Sequence, residues 1–375
     1  LNPQAVEKWW ITNGRVIIGA GIVRADIAIQ GDTIAAVWLH TGKRKAARGR
    51  GQVDLSNAFL GPGLIDLHVW GAPEAVSHHM ARFGTTAFLS TLGPEPAQNL
   101  LRSVAARTRS QELPGALAIG LHLEGPFVSR KRPGALPVGS MRAPAIPELR
   151  QLQKASGDSV RLVTLAPELP GALAATRWLR KQGVQVSLGH SLADAAQTLA
   201  AVRAGARLVT HIFNGMRVFH HRQSALVDVA LTHPDLTTMV ILDGRHVSPN
   251  AFRLLVRTKG VDKIILVTDS IRFQGWNVRY KNGAYRMRSG ILAGSALTLM
   301  RAVENAVRFA DLKVDEAVRM ASAVPARLLG LRGRGEIRPG ARADLMAFDD
   351  KFRVLLTVVG GRIVYQRQEA RPSSA

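Results

Sequence analysis

The chain reads as an α/β protein: a closed eight-stranded β/α barrel in the middle, with a small β-sandwich domain built from both termini. Three observations predict this. Apolar runs alternate with helical patterns through the middle of the chain, and the two ends are β-rich and alike in style. No glycine-rich dinucleotide turn follows the first apolar run, which argues against an open doubly wound sheet.

At the N-terminal end, WWITNGRVII (9–18) and VRADIAIQGDTIAAVWL (23–39) have the short-strand pattern, with Asn13-Gly14 and Gly31-Asp32 as hairpin signals. The C-terminal end repeats the style in ADLMAFDD (343–350) and VLLTVVGGRIVYQ (354–366), with Gly360-Gly361 as its turn. The expected organisation is therefore 1–60 and 332–375 as the two parts of the small domain, around a barrel at 61–331, with the tail after about Gln368 disordered. Within the barrel, buried parallel strands are expected at 63–69, 85–91, 118–124, 160–166, 184–190, 208–211, 238–243 and 264–269. Helical patterns between them include 97–109, 172–182, 194–204 and 251–258.

With 375 residues the chain can bury a full-sized core without staples, and with no cysteine it has neither disulfides nor thiolate ligands. Any metal must be held by His, Asp or Glu, which points towards hydrolytic chemistry. The formal net charge of +23 raises a nucleic-acid or other polyanionic partner, but Lys and Arg are dispersed. Their densest cluster, Lys43, Arg44, Lys45, Arg48 and Arg50, reads as a solvated loop, so nucleic acid is an unlikely partner, while a phosphorylated substrate would be favoured. No apolar run is long enough for a membrane span and no signal-peptide plan opens the chain, so a cytoplasmic protein is expected.

The strand ends carry the chemistry. In LHLEGPFVS (121–129) an apolar strand runs into Glu124 and Gly-Pro, and a buried carboxylate persists only if paired, hydrogen-bonded or bound to a metal. Of the other expected strands, the first, fifth, sixth, seventh and eighth end in Asp66-Leu67-His68, His190, His211, Asp243 and Asp269. In a barrel these ends meet on one face, where nitrogen and oxygen ligands suit a divalent metal, Zn²⁺ first and Fe²⁺ or Mn²⁺ next.

The motifs PGLIDLH (62–68), HLEGPF (122–127), SLGHS (187–191), THIFNGM (210–216), DGRHV (243–247), LVTDS (266–270) and LAGSALTL (292–299) resemble those of the N-acetylglucosamine-6-phosphate deacetylase family, in the amidohydrolase superfamily. ASAVPARLLGL and GEIRPGARADLMAFD extend the likeness to nearly the whole chain. The resemblance implies metal-dependent removal of an N-acetyl group from an amino-sugar phosphate, with Glu124, His190 and His211 as metal ligands and Asp269 as the acid–base residue. It places Asn214, Gly215, Arg222 and His246 around the sugar phosphate and Leu292, Ala293 and Gly294 in the sugar pocket, and implies a homodimer in which His246 can serve the neighbouring subunit.

Three departures from the family's pattern qualify this. Trp70 stands where two-metal relatives have the second histidine of His-x-His, so one metal per site is expected, with His68 outside the ligand set. Leu136 stands where the family commonly has a histidine that contacts the substrate, which leaves His78, His79, His220 or His221 to replace it or the substrate to differ. The segment 71–79 reads as a short loop without the family's glycine-rich run, and its Pro73 and paired His78-His79 are expected to reshape one wall of the pocket. Two other functions stay open: hydrolysis of a different amide or cyclic amide, and a catalytically degenerate basic binding protein.

Overall fold

The computed structural model describes residues 8–40, 51–108, 112–272, 277–281 and 283–368. The basic cluster at 43–50 and the tail beyond Gln368 lie outside the described residues. Eight parallel strands pair in chain order: β1 (Leu64–Trp70), β2 (Thr85–Leu92), β3 (Leu117–Glu124), β4 (Val160–Leu165), β5 (Gln185–Leu188), β6 (Leu208–Val209), β7 (Thr237–Ile241) and β8 (Ile264–Val267). The barrel closes where Asp269 N–H donates to His68 O at 2.8 Å and Trp70 N–H donates to Ser270 O at 2.9 Å. Every residue of β1, β2, β7 and β8 is buried, as expected when both faces of a parallel strand are covered.

One helix follows each strand: α1 (Pro73–Ala81), α2 (Ala97–Arg107), α3 (Ile146–Ala155), α4 (Ala172–Lys181), α5 (Ala195–Ala204), α6 (Leu226–Thr232), α7 (Pro249–Lys259) and α8 (Leu299–Ala310). Their starts follow local chemistry. Asp194 and Gln197 form a reciprocal capping box on α5, Ser248 caps α7 with Pro249 at its first turn, and Thr298 caps α8. The amphipathic face of α8 buries Leu299, Met300 and Val303 against the barrel, each such burial stabilising by roughly 1.5–3 kcal/mol. Segment 71–79 is thus not a loop: Pro73 sits in the first turn of α1, which buries Val76, Ser77 and Met80.

The strands from both ends form one mixed eight-stranded sheet, in the order Arg362–Gln366, Val354–Val359, Leu345–Phe348, Phe59–Pro62, Trp9–Ile18, Gly21–Gln30, Thr33–Leu39, with Gln52–Asp54 also beside Trp9–Ile18. They enclose a separate apolar core that includes Ile11, Ile27, Leu60, Leu345 and Val358. Gly31-Asp32 and Gly360-Gly361 are turns between paired strands, as expected. Asn13-Gly14 is not. It is an irregularity inside the first strand, where Asn13 (φ 59°) gives its backbone N–H to Asp26 Oδ1, and the hairpin turn falls later, at Gly19-Ala20. The sheet docks on the barrel through Phe59 and Phe348, whose rings stack 5.1 Å apart within the sheet and join the barrel's core cluster, and through Thr357 Oγ1, which donates to Ala81 O.

Candidate active site

Most of the expected strand-end residues lie two residues beyond their strand, on the turn at the barrel's carboxyl mouth: His190 after β5, His211 after β6, Asp243 after β7 and Asp269 after β8. His190 (φ 47°), His211 (φ 26°) and Asp269 (φ 48°) adopt left-handed backbone, a strain of roughly 1–3 kcal/mol each that surrounding structure must hold. Part of that hold is close packing. A Cβ on Gly215 (φ +62°) would lie 2.9 Å from His190 Nδ1, so only glycine lets the 210–216 turn press against this ring.

Glu124, His190 and His211 come together as the sequence expects, each offering a ligand atom within 4.8 Å of the others. Their hydrogen bonding fits a divalent cation. His190 Nδ1–H donates to Arg132 O at 2.8 Å, which leaves Nε2 with a lone pair facing Glu124 Oε1 and His211 Nε2, both at 3.2 Å. His211 Nε2 is 2.8 Å from the same carboxylate oxygen. Lone pairs crowd here with too few protons to bridge them, which a shared cation relieves. Without one, the site draws protons. Burial opposes charge on His190, but the Glu124 carboxylate outweighs it and raises the imidazole pKa. Burial likewise opposes ionisation of Glu124, yet the charge of His68 and hydrogen bonds from His190, His211 and His68 hold it well below the usual carboxylate range.

A second group, His68, Glu124 and Asp269, adjoins the first. His68 Nε2 stands 3.2 Å from Glu124 Oε2 and 3.3 Å from Asp269 Oδ1, bridging the two carboxylates. Trp70 Nε1–H donates to Asp269 Oδ1 at 2.8 Å. Beneath them Asp66, wholly buried, accepts from Thr268 Oγ1 at 2.6 Å and from the His68 amide; burial pushes its pKa up to about 6.

The cavity over this cluster, about 210 Å³, is lined by several expected residues: Asn214, Gly215, His246, Leu136, Leu292 and Gly294. His246 Nδ1–H donates to Asp243 Oδ2 at 2.7 Å, so its Nε2 is the nitrogen left for a ligand. Ala293 is buried beneath the wall with Trp70, Leu136 and Ile271. Arg222 does not line the cavity; it lies on an exposed stretch beside the stacked rings of His220 and His221. None of the four histidines considered as replacements for the one lost at Leu136 lines it either: His78 and His79 ride on α1, and His220 and His221 sit on that exposed stretch. Sequence reasoning passed over Ile241 and Ile291 as cavity walls, and the Arg132 carbonyl that fixes His190. Asp66, named with His68 at the end of the first expected strand, lies two residues before it on the same face of β1.

This barrel and its nitrogen–oxygen cluster define an amidohydrolase-type enzyme, and the amidohydrolase family model matches residues 59–364. The chain is 36% identical over 369 residues to N-acetylglucosamine-6-phosphate deacetylase of Vibrio furnissii, covering 90% of this chain and 91% of the relative. It is 37% identical over 331 residues to N-acetylgalactosamine-6-phosphate deacetylase of Escherichia coli O157:H7, covering 81% and 87%. Among solved structures, a mutant N-acetyl-D-glucosamine-6-phosphate deacetylase of Mycobacterium smegmatis, in complex with N-acetyl-D-glucosamine-6-phosphate, aligns with a TM-score of 0.86 at 30% identity, covering 96% of this chain and 99% of that one. The chain belongs to the N-acetylglucosamine-6-phosphate deacetylase family.

Proposed function

We propose that this enzyme hydrolyses the N-acetyl group of N-acetylglucosamine 6-phosphate, or a close amino-sugar phosphate, to give the free amine and acetate. The observation that carries the reading is the meeting of Glu124, His190 and His211 at one point with Asp269 beside them on the cavity wall. In this reading residues 61–331 form the catalytic barrel, 1–60 and 332–375 the small domain, and Zn²⁺ is the resident ion, with Fe²⁺ or Mn²⁺ as substitutes. Glu124, His190 and His211 would hold a divalent cation, which would supply a Lewis acid and lower the pKa of nearby water. Asp269 takes the proton from the attacking water and delivers it to the departing nitrogen, because an amine leaves poorly unless protonated. Asn214 and His246 orient the sugar phosphate, the family resemblance adds Arg222, which lies outside the cavity lining, and Leu136, Leu292 and Ile291 keep water from the reacting carbon. A homodimer in the cytoplasm completes the reading.

The test is acetate release from N-acetylglucosamine 6-phosphate by zinc-reconstituted protein. Turnover is expected in the wild type, with Asp269→Asn slower by about 10³-fold or more at unchanged metal content. Persistence of full activity in that variant would remove Asp269 from the proton path. One observation favours a second reading, an N-acyl amide without phosphate: among the described residues lining the cavity there is no Lys or Arg, and Leu136 and Trp70 make one wall apolar. Equal turnover of N-acetylglucosamine itself would select it. Against a degenerate basic binding protein stands the grouping of Glu124, His190 and His211, a set that could hold a metal ion.

A further inference from the structure

Trp70 does more at this site than displace a ligand. His68 and Trp70, two residues apart on β1, point to the same face and both reach Asp269 Oδ1, the imidazole at 3.3 Å and the indole N–H at 2.8 Å. The backbone at the barrel seam fixes the approach, since Asp269 N–H donates to His68 O and Trp70 N–H to Ser270 O. The ring, 2% exposed, packs among Val128, Leu136, Met141, Ile271 and Ala293, and it presses on Gly93, where a Cβ would lie 2.8 Å from Trp70 Cη2. It has no room to swing.

We propose that Trp70 is a positioning residue: its indole N–H pins Asp269 Oδ1 so that Oδ2 is the oxygen that accepts and returns the proton, while its ring fills the space a ligand for a second cation would need. The proposal rests on the role given to Asp269 above. A carboxylate turns about its last torsion with little preference, so an unpinned Asp269 would exchange its two oxygens. With the indole N–H on Oδ1 and the His68 imidazole 3.3 Å from the same oxygen, the lone pairs left for a transferable proton are those of Oδ2. Because an indole cannot ligate a cation, His68, Glu124 and Asp269 stand beside Trp70 without the further ligand a second metal site would draw from that position, and His68 Nε2 is bonded to Glu124 Oε2.

Three variants of the full chain, each reconstituted with zinc, test this. Trp70→Phe keeps the ring and loses the donor; kcat on N-acetylglucosamine 6-phosphate is expected to fall about 10- to 100-fold with KM nearly unchanged and zinc content at the wild-type level. Trp70→Gln restores an N–H, and its kcat is expected to exceed that of Trp70→Phe. Trp70→His supplies a ligand, and elemental analysis is expected to show zinc rising from about one to about two per chain. Wild-type kcat in Trp70→Phe, or Trp70→Gln slower than Trp70→Phe as simple packing requires, would overturn the pinning of Asp269. Zinc unchanged in Trp70→His at saturating metal would overturn the exclusion of a second cation. A wild type that binds zinc but releases no acetate refutes the substrate reading instead, and the zinc count of Trp70→His still decides this one.

Discussion

Asp344, where the small sheet meets the barrel, and Glu124, at the barrel's mouth, are buried carboxylates exposed to only 3% and 2%, and the chain surrounds them in opposite ways. Asp344 is saturated by the chain's own donors: Arg334 Nη1 pairs with one oxygen, Arg342 Nε lies 3.4 Å from the other, and the Gly360 N–H donates at 2.8 Å. Among the described residues, Glu124 faces only imidazole nitrogens, from His68, His190 and His211. The chain orients at least His190 so that its lone pair, and not a proton, points inward. A carboxylate kept for structure is given permanent cations. One kept for chemistry is given partners that themselves want a cation.

Substitutions at the two sites should therefore fail differently. Glu124→Gln is expected to lower turnover at least about 10³-fold and to release the metal, read by acetate production and elemental analysis. Retained metal and activity would erase the contrast. Asp344→Asn is expected to destabilise the fold by about 3 kcal/mol, since it leaves the part-buried Arg334 beside a neutral group, with kcat of the folded protein preserved. Denaturant unfolding and steady-state rates on the same preparation check both halves. The smallest effect sharpens the comparison in the metal-stripped protein. Burial disfavours a charged His68, but Glu124 and Asp269 outweigh it and raise its pKa from 6.5 to about 9. A group whose folded pKa is raised stabilises fully below its unfolded value and loses that contribution as pH climbs through the folded one. Thermal stability of the chelated protein should thus decline between pH 6.5 and about 9, and the decline should be shallower in His68→Gln, where the raised His190 still contributes.

The cluster was legible in the sequence because each ligand ends an apolar run, and parallel strands of a barrel carry such ends to one mouth. Trp70 was legible only as an absence, a residue unable to ligate. Its bond to Asp269 joins chain positions 199 apart and leaves no local pattern. The Arg132 carbonyl under His190 was hidden for the same reason: backbone acceptors carry no residue type to read. Asn13-Gly14 misled because the dipeptide also suits a bulge, and the long-range bond to Asp26 chose between them. Segment 71–79 misled because Pro73 and the small residues around it have the look of a turn, whereas proline in the first turn of α1 loses no helical hydrogen bond.

The central claim, that Glu124, His190 and His211 share one divalent cation, is tested most directly by equilibrium dialysis against zinc followed by elemental analysis, on the wild type and on His190→Ala with His211→Ala. The expected result is about one zinc per wild-type chain and none retained by the double variant. Zinc bound equally by both proteins, or by neither, would contradict it.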